Sequence, residues 1–304
     1  MTAPLRHDDQ IGRGILLTLA CVGVFGIQDA VAKLLVQDYS PFQVAMLRYW
    51  GFAAFALLMV TRQAPLRQAL SSRAPRLQVV RGVMLITDIW LFATALQTVP
   101  LGELQAISML TPLLVTLFAI PLLGEKVGIF RLSAVAAGLV GALVILRPGG
   151  VPLDWGAASG IAAAICYALY MVITRKVTAV DSASTTMTYT ALVGLVLSSA
   201  VGVFFWQNMV WADVLLVLVV TVTTCLGHWL IALSLSMAPA SVLQPFNYFA
   251  LPWAIVLSIV IFGQWIDLIS LLGAGVIVAA GLVVMARERK LQRAKAVTSP
   301  IETQ

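Results

Sequence analysis

Ten apolar stretches follow one another through this chain of 304 residues. Each is about 20 residues long, which is what a helix rising about 1.5 Å per residue needs to cross about 30 Å of hydrocarbon. They run roughly Gly14–Val36, Phe42–Val60, Val79–Thr98, Leu101–Leu123, Ile129–Leu146, Trp155–Ile173, Thr185–Phe205, Val214–Ser236, Ser241–Phe262 and Leu268–Met285. Hydrophobic residues make up 61% of the chain and charged residues 11%, more apolar surface than a soluble core could hide. The sequence therefore predicts an all-α integral membrane protein with ten transmembrane helices.

The connections also predict an orientation. With the N-terminus inside, the inner segments hold Arg6 and Arg13; Arg62, Arg67, Arg73, Arg76 and Arg81; Lys126 and Arg131; Arg175 and Lys176; and Arg287, Arg289, Lys290, Arg293 and Lys295. That is 16 of the 19 lysines and arginines, while the outer connections carry Asp38, Asp154, Asp213 and Asp267. Basic loops are poorly translocated, so both termini are expected in the cytoplasm. The net charge of +6 is thus a topology signal and no nucleic-acid footprint. The basic tail, residues 288–304, could touch anionic lipid, and from about Gln292 it reads as the one disordered candidate. The apolar run after Arg13 is longer than the roughly 7–15 residues of a signal-peptide core, so it reads as the first helix. Cys21, Cys166 and Cys225 sit inside spans without paired spacing, so neither a disulfide framework nor a metal site is expected. The chain lacks a phosphate-binding Gly-x4-Gly-Lys-Ser/Thr run and a His-Glu-x2-His pair, so no cofactor is expected. Ser159 with His228 would be the only candidates for an intramembrane hydrolase dyad, and the small residues around Ser159 explain it better as packing.

The two halves match when offset by about 140 residues. Leu104-Gln105, Pro112 and Gly124-Glu125 correspond to Leu243-Gln244, Pro252 and Gly263-Gln264. Gly141-Ala142-Leu143-Val144-Ile145-Leu146-Arg147 corresponds to Gly281-Leu282-Val283-Val284-Met285-Ala286-Arg287. Each half, 14–147 and 155–287, contains an odd number of spans, so the second must enter the membrane from the opposite side. Two inverted five-helix repeats are expected, with a substrate site near mid-bilayer between them, as in secondary transporters. Small residues at spacing four, Gly156, Gly160, Ala164 and Ala168, and Ala134, Gly138 and Ala142, predict close helix packing.

Candidate site residues are those hydrocarbon penalises. An ionisable group at the centre of a membrane helix costs roughly 2.5–3.5 kcal/mol on insertion scales, so each needs a partner or a cavity. Asp88 lies about nine residues, roughly 14 Å, into the third stretch, near mid-bilayer. It reads as a proton carrier or substrate contact, with a structural carboxylate as the alternative. Asp29 and Lys33, four apart on one helical face, could form an internal ion pair or meet substrate. Arg48 and Glu103, at similar depths, could pair across helices or one could meet a charged solute. His228 reads as a proton relay or, more simply, a hydrogen-bonded neutral imidazole. Gln28, Gln97, Gln105, Gln244 and Asn247 add hydrogen-bonding groups. Tyr167, Tyr170 and Tyr248, with Trp90, Trp229 and Trp253, add flat faces suited to a planar or amphipathic solute. Pro112 and Pro252 occupy matching positions and would kink their helices, a placement that suits a hinge.

The order of these landmarks resembles the drug/metabolite transporter superfamily, in its EamA-type branch of ten spans. The resemblance rests on Gln28-Asp29-Ala30-Val31-Ala32-Lys33, Leu47-Arg48-Tyr49-Trp50, Ala95-Leu96-Gln97-Thr98-Val99-Pro100, Thr111-Pro112-Leu113-Leu114, Gly124-Glu125-Lys126 and Arg147-Pro148-Gly149. It covers essentially residues 14–286 and departs where Gln264 stands at the position matching Glu125. It implies a non-enzymatic secondary transporter in a bacterial inner membrane, working by alternating access on a small molecule, with proton coupling through Asp88 as a separate expectation. The intramembrane charges point to a polar or zwitterionic solute, amino-acid-like or an opine-type metallophore such as pseudopaline, with export the more common habit of such proteins. Uptake of riboflavin or S-adenosylmethionine is the alternative, and a non-transport membrane protein, an intramembrane enzyme or an assembly partner, is the reading from a different class. Ten helices can enclose a cavity within one chain, so the sequence does not specify an oligomeric state.

Overall fold

The computed structural model describes residues 7–63, 65–124, 128–145, 154–238 and 240–298. In hydrocarbon every backbone N–H and C=O must find a partner within the chain, and helices achieve this locally. Accordingly the chain folds as α1 (His7–Asp38), α2 (Pro41–Gln63), the short α3 (Leu66–Ala69), α4 (Pro75–Thr98), α5 (Leu101–Ser108), α6 (Thr111–Leu123) and α7 (Ile129–Ile145). After these come α8 (Trp155–Val177), α9 (Ala183–Gly202), α10 (Trp211–Met237), α11 (Ala240–Leu243), α12 (Ala250–Phe262) and α13 (Leu268–Thr298). Among the described residues nine segments are long and apolar enough to cross a membrane, and Leu132–Ile145 within α7 is a shorter tenth.

Two of the expected spans are interrupted. The fourth is divided into α5 and α6, which meet at Met109 and Leu110. The ninth begins with α11 and a 3-10 segment, Gln244–Phe249, before α12. Pro112 is the second residue of α6 and Pro252 the third of α12. In a first turn the missing N–H has no intrahelical acceptor to lose, so these prolines start helices instead of kinking them, and the irregular backbone lies just before each. Both α6 and α12 end on a left-handed glycine, Gly124 at φ 68° and Gly263 at φ 63°, a conformation that side-chain-bearing residues avoid. The tail also differs from expectation. The backbone of α13 continues as helix to Thr298, past the span that ends at Arg287. Leu291, Arg293, Ala294, Lys295 and Ala296 are helix formers, and Gly and Pro are absent there. Residues 299–304, like Glu125 and Arg147, lie outside the described residues.

Helices alternate in direction, so one end of the bundle collects Arg62, Arg67, Arg73, Arg76, Arg175 and Lys176, and the other collects Asp38, Asp154, Asp213 and Asp267. These are called the basic and acidic ends below. Trp155, Trp211 and Trp265, each more than three-quarters exposed, ring the acidic end, where amphipathic indoles anchor a protein at the membrane surface.

Helix packing runs between the halves of the chain. α1 lies along α10, α4 along α8, α2 along α9, α7 along α13 and α5 against α12. Small residues make these contacts. A Cβ on Gly14 would lie 2.9 Å from that of Ala238, and one on Gly141 would lie 2.7 Å from the carbonyl oxygen of Gly273, so α7 and α13 touch backbone to backbone. Gly156 abuts Thr98, Gly160 faces Leu104 and Ala95, and Gly138 faces Leu113. The small-residue stripes are packing surfaces, as small side chains in membrane helices usually are.

Candidate transport cavity

Six crossings leave a cavity of about 360 Å3 among them. Each contributes one helical face at spacings of three and four. α1 supplies Phe25, Gln28, Asp29 and Ala32; α2 supplies Val44, Ala45, Arg48, Tyr49 and Phe52; α4 supplies Leu85, Asp88, Ile89, Phe92, Ala93 and Leu96. Gln105 and Ser108 from α5, Thr111 from the start of α6, Ala164, Tyr167 and Tyr170 from α8, and Val220, Thr224 and His228 from α10 complete the wall. The volume and the mixture of apolar wall with a few convergent polar groups are those of a small-molecule site.

Asp29, Asp88 and Arg48 converge here from three helices, near enough for their charges to act on one another. Among the described residues none of the three makes a hydrogen bond to the protein, so their polar atoms are available to a solute. The aromatic side chains are arranged around them. The rings of Tyr167 and Tyr170 stack with centroids 5.7 Å apart, and the His228 imidazole meets Phe25 edge-on at 5.7 Å and Phe52 at 4.9 Å. His228 Nδ1 donates to the Thr224 carbonyl at 2.8 Å, leaving its other ring nitrogen free of that bond. Thr224 donates its hydroxyl to Gln28 Oε1 at 2.6 Å, tying α10 to α1 and fixing that amide in the wall.

Several expected site residues stand elsewhere. Lys33 does not pair with Asp29: its ammonium donates to the carbonyls of Leu96, at 2.8 Å, and Val99, at 2.7 Å, and lies 5.5 Å from the Phe262 ring. Those carbonyls close α4, where the helix dipole favours a cation, so the ammonium is drawn past the carboxylate four residues away. Arg48 does not pair with Glu103. It faces Asp29 and Asp88, while Glu103 is buried on α5 outside the cavity wall and engaged there. Gln97 is exposed and donates to the Val36 carbonyl at 3.0 Å. Tyr248 abuts Gly281, and Asn247, like Tyr248, lies in the 3-10 segment outside the wall. The side chain of Gln244 lies outside the described residues. Trp253 donates its indole N–H to the Gly23 carbonyl, and Trp229 is half exposed on the outside of α10. Trp90 and Ser159 line a separate crevice of about 270 Å3 on the opposite face of α4, so Ser159 and His228 do not share a site.

Other residues escaped the sequence reading. Tyr49, Thr224, Ser108 and Thr111 face the cavity, and Arg81 lies beneath it. Arg81, which the sequence places with the inner segments, is 1% exposed. It donates to the Thr186 carbonyl at 2.6 Å and to the Thr190 hydroxyl, and it lies 5.2 Å from the ring of Tyr170. Its signal was available: it sits six residues inside a helix that Pro75 opens. Among the described residues no cluster of three His, Cys, Asp or Glu side chains could hold a metal.

A bundle of apolar crossings enclosing a polar, aromatic-walled chamber is the construction of a small-molecule membrane carrier. The model of the EamA-like transporter family matches the chain twice, over residues 12–147 and 154–286, and the chain belongs to that family. It is similar to a riboflavin transporter of Vibrio cholerae serotype O1, 29% identical over 289 residues that cover 92% of this chain and 95% of the relative. An S-adenosylmethionine uptake transporter of Rickettsia bellii is 24% identical, covering 88% of this chain and 91% of the relative. One crystal structure superposes with a TM-score of 0.62 at 19% identity, covering 91% of this chain and 98% of the other, a likeness of fold. The protein is therefore a multi-pass membrane transporter and not an enzyme.

Proposed function

We propose that this chain takes up a planar heteroaromatic metabolite bearing a hydrophilic chain, with riboflavin as the leading candidate. The observation that carries this reading is the cavity wall, which sets aromatic faces beside hydrogen-bonding groups, drawn from six helices. Tyr167, Tyr170, Phe25, Phe52 and Phe92 suit a flat ring system, and Gln28, Gln105, Ser108 and Thr111 suit hydroxyl groups on its chain. The relatives named for riboflavin share 29% and 26% identity with this chain, and the relative named as an S-adenosylmethionine uptake transporter supports uptake over export of an amino-acid-like solute or metallophore.

A second reading, S-adenosylmethionine, is favoured by the charges. Two carboxylates and one guanidinium, unpaired within the protein, complement a solute with two cationic centres and one carboxylate. Uptake of labelled riboflavin and labelled S-adenosylmethionine into cells expressing the transporter, and into cells lacking it, separates the two. Asp29→Asn should abolish adenosylmethionine uptake and leave most riboflavin uptake. Accumulation of neither solute above the control would overturn both readings.

Transport is proposed to proceed by alternating access between two inverted five-helix repeats with both termini in the cytoplasm. The reciprocal packing supports it, because exchanging the halves turns the α1–α10 contact into the α8–α4 contact and leaves α2–α9 and α7–α13 unchanged. The irregular backbone before Pro112 and Pro252 is proposed to act as the hinge. Asp88 is proposed to carry the coupling proton. Flux that ignores an imposed pH gradient would exclude this, whereas Asp88→Asn is expected to lose gradient-driven flux with expression intact.

A further inference from the structure

Arg81 is buried beneath the cavity, towards the basic end, and like Lys33 it is held by neutral acceptors. Its Nε donates to Gln78 Oε1 at 3.2 Å, Nη1 reaches the Tyr170 and Thr174 hydroxyls, each at 3.4 Å, and Nη2 bonds the Thr186 carbonyl and the Thr190 hydroxyl. Every acceptor is neutral. Among the described residues no carboxylate contacts the guanidinium. Asp181 reaches it only through the amide of Gln78, and its oxygens also hold Ser72 and the Arg73 backbone N–H. Asp88 stands two turns further along α4, roughly 10 Å away by helical rise, and its charge acts with those of Arg48 and Asp29. Tyr170, stacked over the guanidinium, forms the cavity wall above it.

The guanidinium joins α4 to α8 and α9 through five donated bonds, and it does so with a full positive charge. An unneutralised positive charge in a membrane interior is costly, and here it lies next to the cavity instead of at a helix end such as the one Lys33 covers. The chamber above holds two carboxylates against one guanidinium and will concentrate cations. A fixed positive charge at one end of such a chamber adds to the barrier that its apolar packing sets against cations. A fixed arginine in a pore does this by raising an electrostatic barrier.

We propose that Arg81 is an electrostatic seal that keeps protons and inorganic cations from passing through the basic end of the cavity. The test uses the full chain in phosphatidylethanolamine–phosphatidylglycerol vesicles containing a pH-sensitive dye, with a potassium diffusion potential driving protons inward. The wild type should leak no faster than protein-free vesicles. Arg81→Gln and Arg81→Met should leak faster by on the order of tenfold or more, the scale on which local fields alter ion encounter. Arg81→Lys, and Tyr170→Phe with its hydrogen bond removed but the cation kept, should stay tight. Thr190→Glu supplies a counter-ion without touching the arginine and should leak, whereas Thr190→Gln should not, so the test survives misfolding of the Arg81 variants. Tight vesicles with folded Arg81→Gln or Thr190→Glu, or equal leak through Tyr170→Phe, would show that Arg81 is only a structural clamp.

Discussion

Lys33 shows how a single residue can hold a charge in hydrocarbon without a counter-ion. The last carbonyls of a helix have no intrahelical donors and carry the negative pole of its dipole. Lys33 supplies two charge-assisted bonds there, from α1 to the end of α4, and is 3% exposed. Lys33→Met should leave the Leu96 and Val99 carbonyls uncovered and destabilise the protein by about 1–3 kcal/mol. Thermal denaturation in detergent should report this loss, and Asp29→Asn, which removes no bond to Lys33, should leave the midpoint nearly unchanged. The sequence marked Asp29, Asp88, Arg48 and His228 because hydrocarbon penalises them wherever they point. It could not say which would meet, since that depends on how each helix is rotated about its axis. Thr224 was invisible for a related reason. A helical hydroxyl normally bonds its own backbone, and only the approach of α1 brings Gln28 within its reach.

Among elements, the connection between α8 and α9 is the best-defined latch. Asp181 accepts from the Ser72 hydroxyl at 2.5 Å, the Arg73 backbone N–H at 2.7 Å and Gln78 Nε2 at 2.8 Å. Partial burial pushes its carboxyl up, but the bonds from Ser72, Gln78 and the Arg73 backbone outweigh that and hold it below the ordinary carboxylate range. A carboxyl lowered in this way contributes stability that is fully present above its unfolded range and disappears as pH falls through its folded value. Acidification on the basic side should therefore release the α3–α4 and α8–α9 connections before the helices unfold. Hydrogen exchange at residues 70–78 and 178–186 should rise with acid, and Asp181→Asn should give the high exchange at neutral pH and remove the pH dependence. The lengths of α2, α4, α8 and α10 were legible from hydropathy alone. The breaks at Met109–Leu110 and Gln244–Phe249 were anticipated at their prolines but misplaced by a few residues, because a proline disturbs the turn that precedes it.

At the scale of the whole molecule, cross-chain ties occupy both ends. Beyond the Asp181 and Arg81 ties at the basic end, Tyr39 donates to Asp213 Oδ2 at 2.6 Å at the acidic end. Gln43 both donates to and accepts from the backbone of Gln207 there, at 2.7 and 2.9 Å. If the ends open in turn, holding either one shut must stop turnover. In a background with Cys21, Cys166 and Cys225 replaced, thiol cross-linking of Gln43→Cys to Gln207→Cys should abolish flux, as should Ser72→Cys with Asp181→Cys. Reduction should restore it in both cases, and undiminished flux through either cross-linked protein would count against alternation. Crossing number and the expected duplication were readable because they are periodic features of the chain. The partners of each helix were not, since no local pattern records that α1 lies along α10.

That pairing has a consequence for assembly. Almost every long contact, α1 with α10, α4 with α8, α2 with α9, α7 with α13, joins a helix synthesised early to one synthesised late. Neither match to the family model therefore marks a unit that can fold by itself. A nascent chain released at residue 147 would expose unpaired glycine faces such as those at Gly14 and Gly141, and it should be degraded. Supplied with residues 154–304 as a separate polypeptide, it should find the same partners and rebuild a working carrier, since the contacts that hold the bundle lie between the two pieces.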